Sequence, residues 1–223
     1  MRKIGSYAKV QHWVGKLIRN NPLQVRRAQR SGKKYLDLGC GPNIHAHVIN
    51  LDYLWRPGVD ICWDVSRGIP LASCSMKGVF SEHCLEHFSL SSGIALLREA
   101  FRVLSPGGTI RVIVPDAGMY LDTYSARKCG DISPAFPFEA KGSFEGAFLP
   151  LLSVNRIFYQ DRDSMAGHRA MYDEQLLGML LQKAGFVDVE RKAFMKGSVE
   201  ALLLDTASRE CESLYMEARR PHP

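Results

Sequence analysis

Residues 35–43 read Tyr-Leu-Asp-Leu-Gly-Cys-Gly-Pro-Asn, an apolar run interrupted by one acid and closed by two glycines around a small residue. Phosphate cradles, dinucleotide sites and nucleoside sites all begin in this way, so the residues that follow decide between them. A Walker loop needs a lysine for the phosphates, and here Gly41 is followed by Pro42, Asn43 and Ile44, which excludes it. A dinucleotide fingerprint needs a third glycine, and Ala46 stands near that place without filling it. Asp37 also sets a negative charge where a pyrophosphate would approach. A cationic ligand suits the stretch better than an anionic one.

Outward from this stretch, short β-like runs alternate with helical ones. Residues 34–39 (KYLDLG), 47–54 (HVINLDYL), 58–66 (GVDICWDVS) and 77–83 (KGVFSEH) are of strand length. Residues 91–104 (SSGIALLREAFRVL) set Ile94, Leu97, Phe101 and Leu104 on one helical face, with Ser89, Ser91 and Ser92 as cap candidates. SPGG at 105–108 reads as the turn ending that helix, and residues 109–116 (TIRVIVPD) as a fifth strand. Residues 117–170 are irregular and are expected to form an inserted loop or helical cover over the substrate site. A helix capped by Asp173 and stopped by Gly185 follows, and residues 186–194 and 212–220 suggest two closing strands.

This alternation predicts an α/β sheet with helices on both faces. Ligands of such sheets bind at the carboxyl ends of the strands. Asp37–Gly41, Asp52, Asp64, Ser81–His83 and Pro115–Asp116 all fall at those ends. A nucleoside carrying an amine and a positive sulfur, S-adenosylmethionine, fits them. Gly39 and Gly41 allow close backbone approach, Asp37 attracts an ammonium, and Asp52 accepts from ribose hydroxyls. Asp64 accepts from the adenine amino group, and the Val65 N–H serves a ring nitrogen. Glu82 and His83 line the reactive end.

These motifs, LDLGCGP, NLD, WDVSRGIPLASCSMKGVFSEHCLEHF and LLREAFRVLSPGGTIRVIVPD, resemble the class I S-adenosylmethionine-dependent methyltransferases, particularly the methyltransferase type 11 group. The resemblance covers residues 33–116 and 173–190. It implies a Rossmann-like sheet of seven strands, parallel except for the last, and methyl transfer to a nucleophile. One departure stands out. Only 11 residues separate Gly41 from Asp52, too few for the helix that usually joins the first two strands. The N-terminal helix is expected to serve as a lid in its place.

His83, following the fourth strand, is the foremost candidate for a general base. His168, in GHRAMYD at 167–173, is the second, with Tyr172 as a further contact. HCLEH at 83–87 also spells the H-x-x-E-H pattern of a peptidase metal site. That reading needs both histidines on one helix face, whereas His83 falls at a strand end, so no metal is expected. Cys40 is read as a small packing residue.

The 223 residues suit one methyltransferase domain over 33–223, preceded by a basic extension over 1–32. Residues 1–34 hold ten Lys or Arg and no acid, which leaves −4 of the +6 total for the rest. Tyr7, Val10, Val14, Leu17 and Ile18 lie at helical spacing. They are expected to dock on the domain, with contact to an anionic membrane or nucleic acid as the other reading. The leader lacks the h-region of a signal peptide. Six scattered cysteines without a C-x-x-C pair fit a reducing, cytoplasmic setting. The reading is a methyltransferase acting on an oxygen or nitrogen of a small molecule or sugar. Its alternatives are a non-catalytic protein binding S-adenosylmethionine or S-adenosylhomocysteine, and a nucleic-acid methyltransferase guided by the basic leader.

Overall fold

The computed structural model describes residues 6–137, 149–159 and 167–222. Two helices come first, α1 (Ser6–Ile18) and α2 (Pro22–Arg30), the latter capped by Asn21 with Pro22 in its first turn. The strands β1 (Tyr35–Leu38), β2 (Ile49–Asp52), β3 (Ile61–Cys62) and β4 (Met76–Glu82) follow. Then come α3 (Leu90–Val103), β5 (Leu104–Pro115), α4 (Ala117–Lys128) and α5 (Leu149–Tyr159). The chain closes with α6 (Glu174–Ala184), β6 (Val187–Lys192) and β7 (Ser213–Arg219).

The seven strands form one sheet in the order β3-β2-β1-β4-β5-β7-β6. β1 to β5 pair in parallel, while β7 runs antiparallel to both its neighbours. The sheet has helices on both sides. The order reverses beside β1, so the glycine stretch leaves the sheet at its switch point, where the crossovers part and a crevice opens. Leu36, Ile49, Leu51, Ile61, Val79, Ile110, Val112 and Val114 form the centre of the core with Leu96, Leu97, Leu177 and Leu181. Strands buried on both faces explain why these runs are mostly apolar.

Several boundaries differ from expectation. β3 pairs over only two residues, because Asp64 turns back to cap a 3₁₀ turn at Val65–Arg67. β5 starts at Leu104, which already pairs with Met76; the SPGG residues then bulge until Thr109 meets Gly78. Gly107 takes φ +76 in that bulge. No helix lies between β1 and β2, as the short spacing implied.

The irregular stretch contains α4, capped by Asp116, and α5. Within it Phe136 packs with Tyr120, while Phe138, Phe144 and Phe148 lie outside the described residues. α1 approaches the domain through Gly15, where a Cβ would stand 3.4 Å from the Trp55 nitrogen. Arg19 stacks on Tyr53, 3.5 Å from its ring centre. Leu17, expected on the docked face, is exposed, as are Trp13 and Leu23. Among the described residues no helix is long and apolar enough to cross a membrane. All six cysteines are free.

Candidate functional site

The glycine stretch folds over the end of β2. The N–H groups of Gly39 and Cys40 both donate to the Leu51 carbonyl, at 2.8 and 3.1 Å. That of Gly41 donates to Asp52 Oδ2 at 2.8 Å. Three successive N–H groups that would form an anion nest are therefore engaged within the protein. The site is acidic instead. Asp37 is 2% exposed, and burial, with Glu82 and Asp52 adding repulsion, holds its carboxyl well above the usual range. Three carboxylates grouped in this way fit a ligand with an ammonium and a sulfonium, and not a phosphate.

Asp37, Gly39, Gly41, Glu82 and His83 meet in one cleft, whose other walls include Asn43, Phe80, Leu204 and Arg209. The cleft leaves about 60 Å³. On the far side of Pro42 lies a more open hollow of about 490 Å³, lined by Gln11, Pro42, Arg56 and Pro57. Gln11 comes from α1, so the N-terminal helix borders the space left by the missing helix.

Asp52, Asp64 and Val65 line neither hollow but stand beside them at the ends of β2 and β3. Asp52 Oδ1 accepts from the Leu54 N–H at 2.7 Å, and its second lone pairs stay available. Asp64 accepts from the Ser66 N–H and hydroxyl, and its own N–H donates to Asn20 Oδ1.

Glu82 has a task that the sequence did not disclose. Its Oε1 accepts from the Thr206 N–H at 2.8 Å, and its Oε2 from the Thr206 hydroxyl at 2.5 Å. Asn43 in turn donates to Thr206 Oγ1 at 2.9 Å. The β6–β7 connection is thus strapped across the ends of β1 and β4, where it supplies Leu204 and Arg209. Behind it, Arg111 of β5 is fully buried and directs all five N–H bonds into the same connection and its base. They go to Asp205 twice, Glu217, and the carbonyls of Lys196 and Ala193. A lone arginine inside the β-branched run TIRVIVP was the available signal, because such a charge needs partners.

His83 adopts φ +46 directly after β4, a costly conformation for a residue with a side chain. Its Nε2 lies 2.8 Å from Ser213 Oγ. Burial, with Arg209 adding repulsion, lowers its pKa to about 2, so the free protein holds it neutral.

His168 does not reach the cleft. It packs with Glu86, Ile157 and Tyr172 in a small enclosed space, and its Nδ1 lies 2.7 Å from the Ile157 carbonyl. Tyr172 is fully buried, with its hydroxyl 3.5 Å from the Leu85 carbonyl. Cys40 is buried and its thiol pushed up by burial, as suits a packing residue. A larger hollow of about 790 Å³ between α4 and α6 contains none of the glycine-stretch residues. Its Asp116 caps α4 and pairs with Arg191.

The sequence profile described as "Methyltransferase domain" matches residues 10–191. Among solved structures, the chain is similar to an S-adenosylmethionine-dependent methyltransferase from Thermotoga maritima described as a possible histamine N-methyltransferase. The TM-score is 0.51 at 14% identity, over 89% of this chain and 92% of that one. A Methanosarcina mazei S-adenosylmethionine-dependent methyltransferase gives 0.49 at 14%, over 85% and 92%. A Burkholderia thailandensis 1,6-didemethyltoxoflavin-N1-methyltransferase, with its substrate and S-adenosylhomocysteine bound, gives 0.47 at 15%, over 90% and 77%. At these identities the likeness is one of fold. No curated protein matches the sequence.

Proposed function

Because the chain belongs to the methyltransferase-domain family, which uses S-adenosylmethionine, we propose that it methylates an oxygen or nitrogen of a small molecule or sugar. The observation that carries this reading is the meeting of Asp37, Gly39, Gly41, Glu82 and His83 in one cleft at the ends of β1 and β4. S-adenosylmethionine supplies a methyl carbon already activated by its sulfonium charge. The chain has to bind, align and exclude water.

Asp37 holds the ammonium, and Arg209, the one cation among the cleft's lining residues, holds the carboxylate of the same amino-acid end. Asp52 accepts from the ribose hydroxyls. Asp64 and the Val65 N–H serve the adenine. His83 takes a hydrogen bond from the acceptor's O–H or N–H and so orients its lone pair towards the methyl group. His168 stands behind Glu86 and acts through it as a positioning residue. α1 closes the hollow beside Pro42 as a lid. The strapped β6–β7 connection narrows the cleft at the ends of β1 and β4 to about 60 Å³, which favours a compact acceptor.

Calorimetric titration with S-adenosylhomocysteine is expected to show one micromolar site per chain. Asp52→Ala loses both the ribose contact and the strap on Gly41, and is expected to bind roughly 10- to 100-fold more weakly, the range of a charged hydrogen bond. A folded wild-type protein that binds nothing would remove the enzyme reading.

The raised pKa of Asp37 gives a pH signature. Protonation removes its attraction for the ammonium, and a raised pKa means that this occurs above the ordinary carboxylate range. Affinity for S-adenosylhomocysteine should therefore fall as pH drops through that region. Asp37→Asn should bind weakly and with a flatter profile; an unchanged wild-type slope in this variant would assign the titration elsewhere.

A further inference from the structure

Glu86 is the most poorly satisfied acid among the described residues. Its side chain is 2% exposed, and neither carboxylate oxygen has a hydrogen-bond partner. An ionised carboxylate in that position is costly unless something cationic meets it. Three imidazoles surround it and none reaches hydrogen-bonding distance. Measured from Oε1, His83 Nδ1 lies at 3.6 Å, His87 Nε2 at 3.9 Å and His168 Nε2 at 4.0 Å.

The far nitrogens of two of these rings explain the arrangement. His168 Nδ1 faces the Ile157 carbonyl at 2.7 Å, and His87 Nδ1 the Gly167 carbonyl at 3.4 Å. A carbonyl only accepts, so a neutral ring that donates to it does so from Nδ1. In both rings Nε2 is the nitrogen that lies nearest Glu86 Oε1, at 3.9 and 4.0 Å, and a carboxylate also only accepts. Backbone carbonyls fix ring tautomers in the same way behind metal-ligating histidines.

We propose that Glu86, His87 and His168 bind one divalent transition-metal ion, with zinc the preferred occupant. Two imidazole nitrogens and one carboxylate oxygen are a zinc donor set. The three ligand atoms all lie within 4.8 Å of one another. Tetrahedral bonds of about 2.0–2.1 Å put ligand atoms about 3.4 Å apart, so side-chain shifts of about 1 Å close the site. Three protein ligands leave a fourth position open.

This site is not the peptidase arrangement that HCLEH suggested. His83 and His87 share no helix: His83 ends a strand at positive φ, and Leu85–His87 form a single 3₁₀ turn. The third ligand comes instead from the far end of the irregular segment. The ion would join the turn after β4 to residues 167–172, which already donate from Arg169 and Ala170 to the Glu86 carbonyl. It would thereby fix the acceptor side of the cleft against the cofactor side.

The test uses the full chain, stripped with a chelator and titrated with Co²⁺ as the visible probe and then with Zn²⁺. The expected result is one ion per chain, with the intense visible bands of a four-coordinate Co²⁺ site that Zn²⁺ abolishes. Glu86→Gln and His168→Gln should each weaken metal binding by more than about tenfold, while His47→Gln, exposed and remote, should not. Circular dichroism and retained S-adenosylhomocysteine binding separate loss of the site from loss of fold. A wild-type protein that takes up no ion, or whose uptake survives both ligand substitutions, overturns the proposal. The four groups would then form a proton-sharing cluster. The metal readout needs no methyl acceptor, so its failure and a failure of the methyltransferase reading are distinguishable.

Discussion

Arg111→Met is expected to destabilise the protein by about 3–5 kcal/mol, the cost of leaving buried charges without their partner. At this chain length the melting temperature should fall by roughly 6–20 °C. Methionine fills much of the arginine's volume, so the loss is electrostatic more than a cavity. Asp205 and Glu217 would remain buried, Asp205 having lost its bidentate partner and Glu217 keeping only Ser198. The cost is that of two buried carboxylates left without their cation. Adding Asp205→Asn and Glu217→Gln to the variant should recover part of the loss, since no charge is then stranded. Chemical denaturation of both variants reads the loss and the recovery. A loss below about 1 kcal/mol would show that the triad holds the β6–β7 connection without stabilising the fold.

That connection was also the part of the site the sequence disclosed least. The strands were legible because a parallel sheet covered on both faces demands largely apolar runs, as in Leu36–Leu38 around Asp37 and Ile110–Val114 around Arg111. The glycine stretch was legible because φ +80 at Gly39 and +56 at Gly41 admit few other residues. Asp52 was legible as the residue that ends β2. The cover has neither periodicity nor a motif. Its bonds are set by partners far away along the chain: Thr206 to Glu82 across 124 residues, and Arg111 to Asp205 across 94. The histidine cluster was half legible. HCLEH supplied Glu86 and His87, whereas His168 joins them only through the packing of residues 167–172 against the turn after β4. Local pattern reports what a residue does to its own backbone; it reports little of what folds back over it.

Gly39→Ala is expected to have the largest effect on cofactor binding. A Cβ there would stand 2.4 Å from Cys84 Sγ and 2.7 Å from Cys84 Cβ, in a backbone conformation with φ +80. The contact is with the half-buried Cys84 side chain close to its own backbone, so it cannot swing aside at little cost. Overpacking of this kind costs about 1–3 kcal/mol, and the left-handed conformation adds about 1–2 kcal/mol for a residue with a Cβ. The strain falls on the turn that holds Gly41 against Asp52, the pair proposed above to border the cofactor. Affinity for S-adenosylhomocysteine should drop by more than about 100-fold, if the protein keeps its fold at all. Cys84→Gly in the same chain removes both clashing atoms and should return the packing share while leaving the backbone share. Binding in the double variant should then lie between wild type and Gly39→Ala. The intermediate result matters because each alternative has a separate cause. Full recovery would mean that steric contact with Cys84 alone requires the glycine. No recovery would mean that the φ angle does, and that the turn's conformation, more than its clearance, is what the cofactor selects.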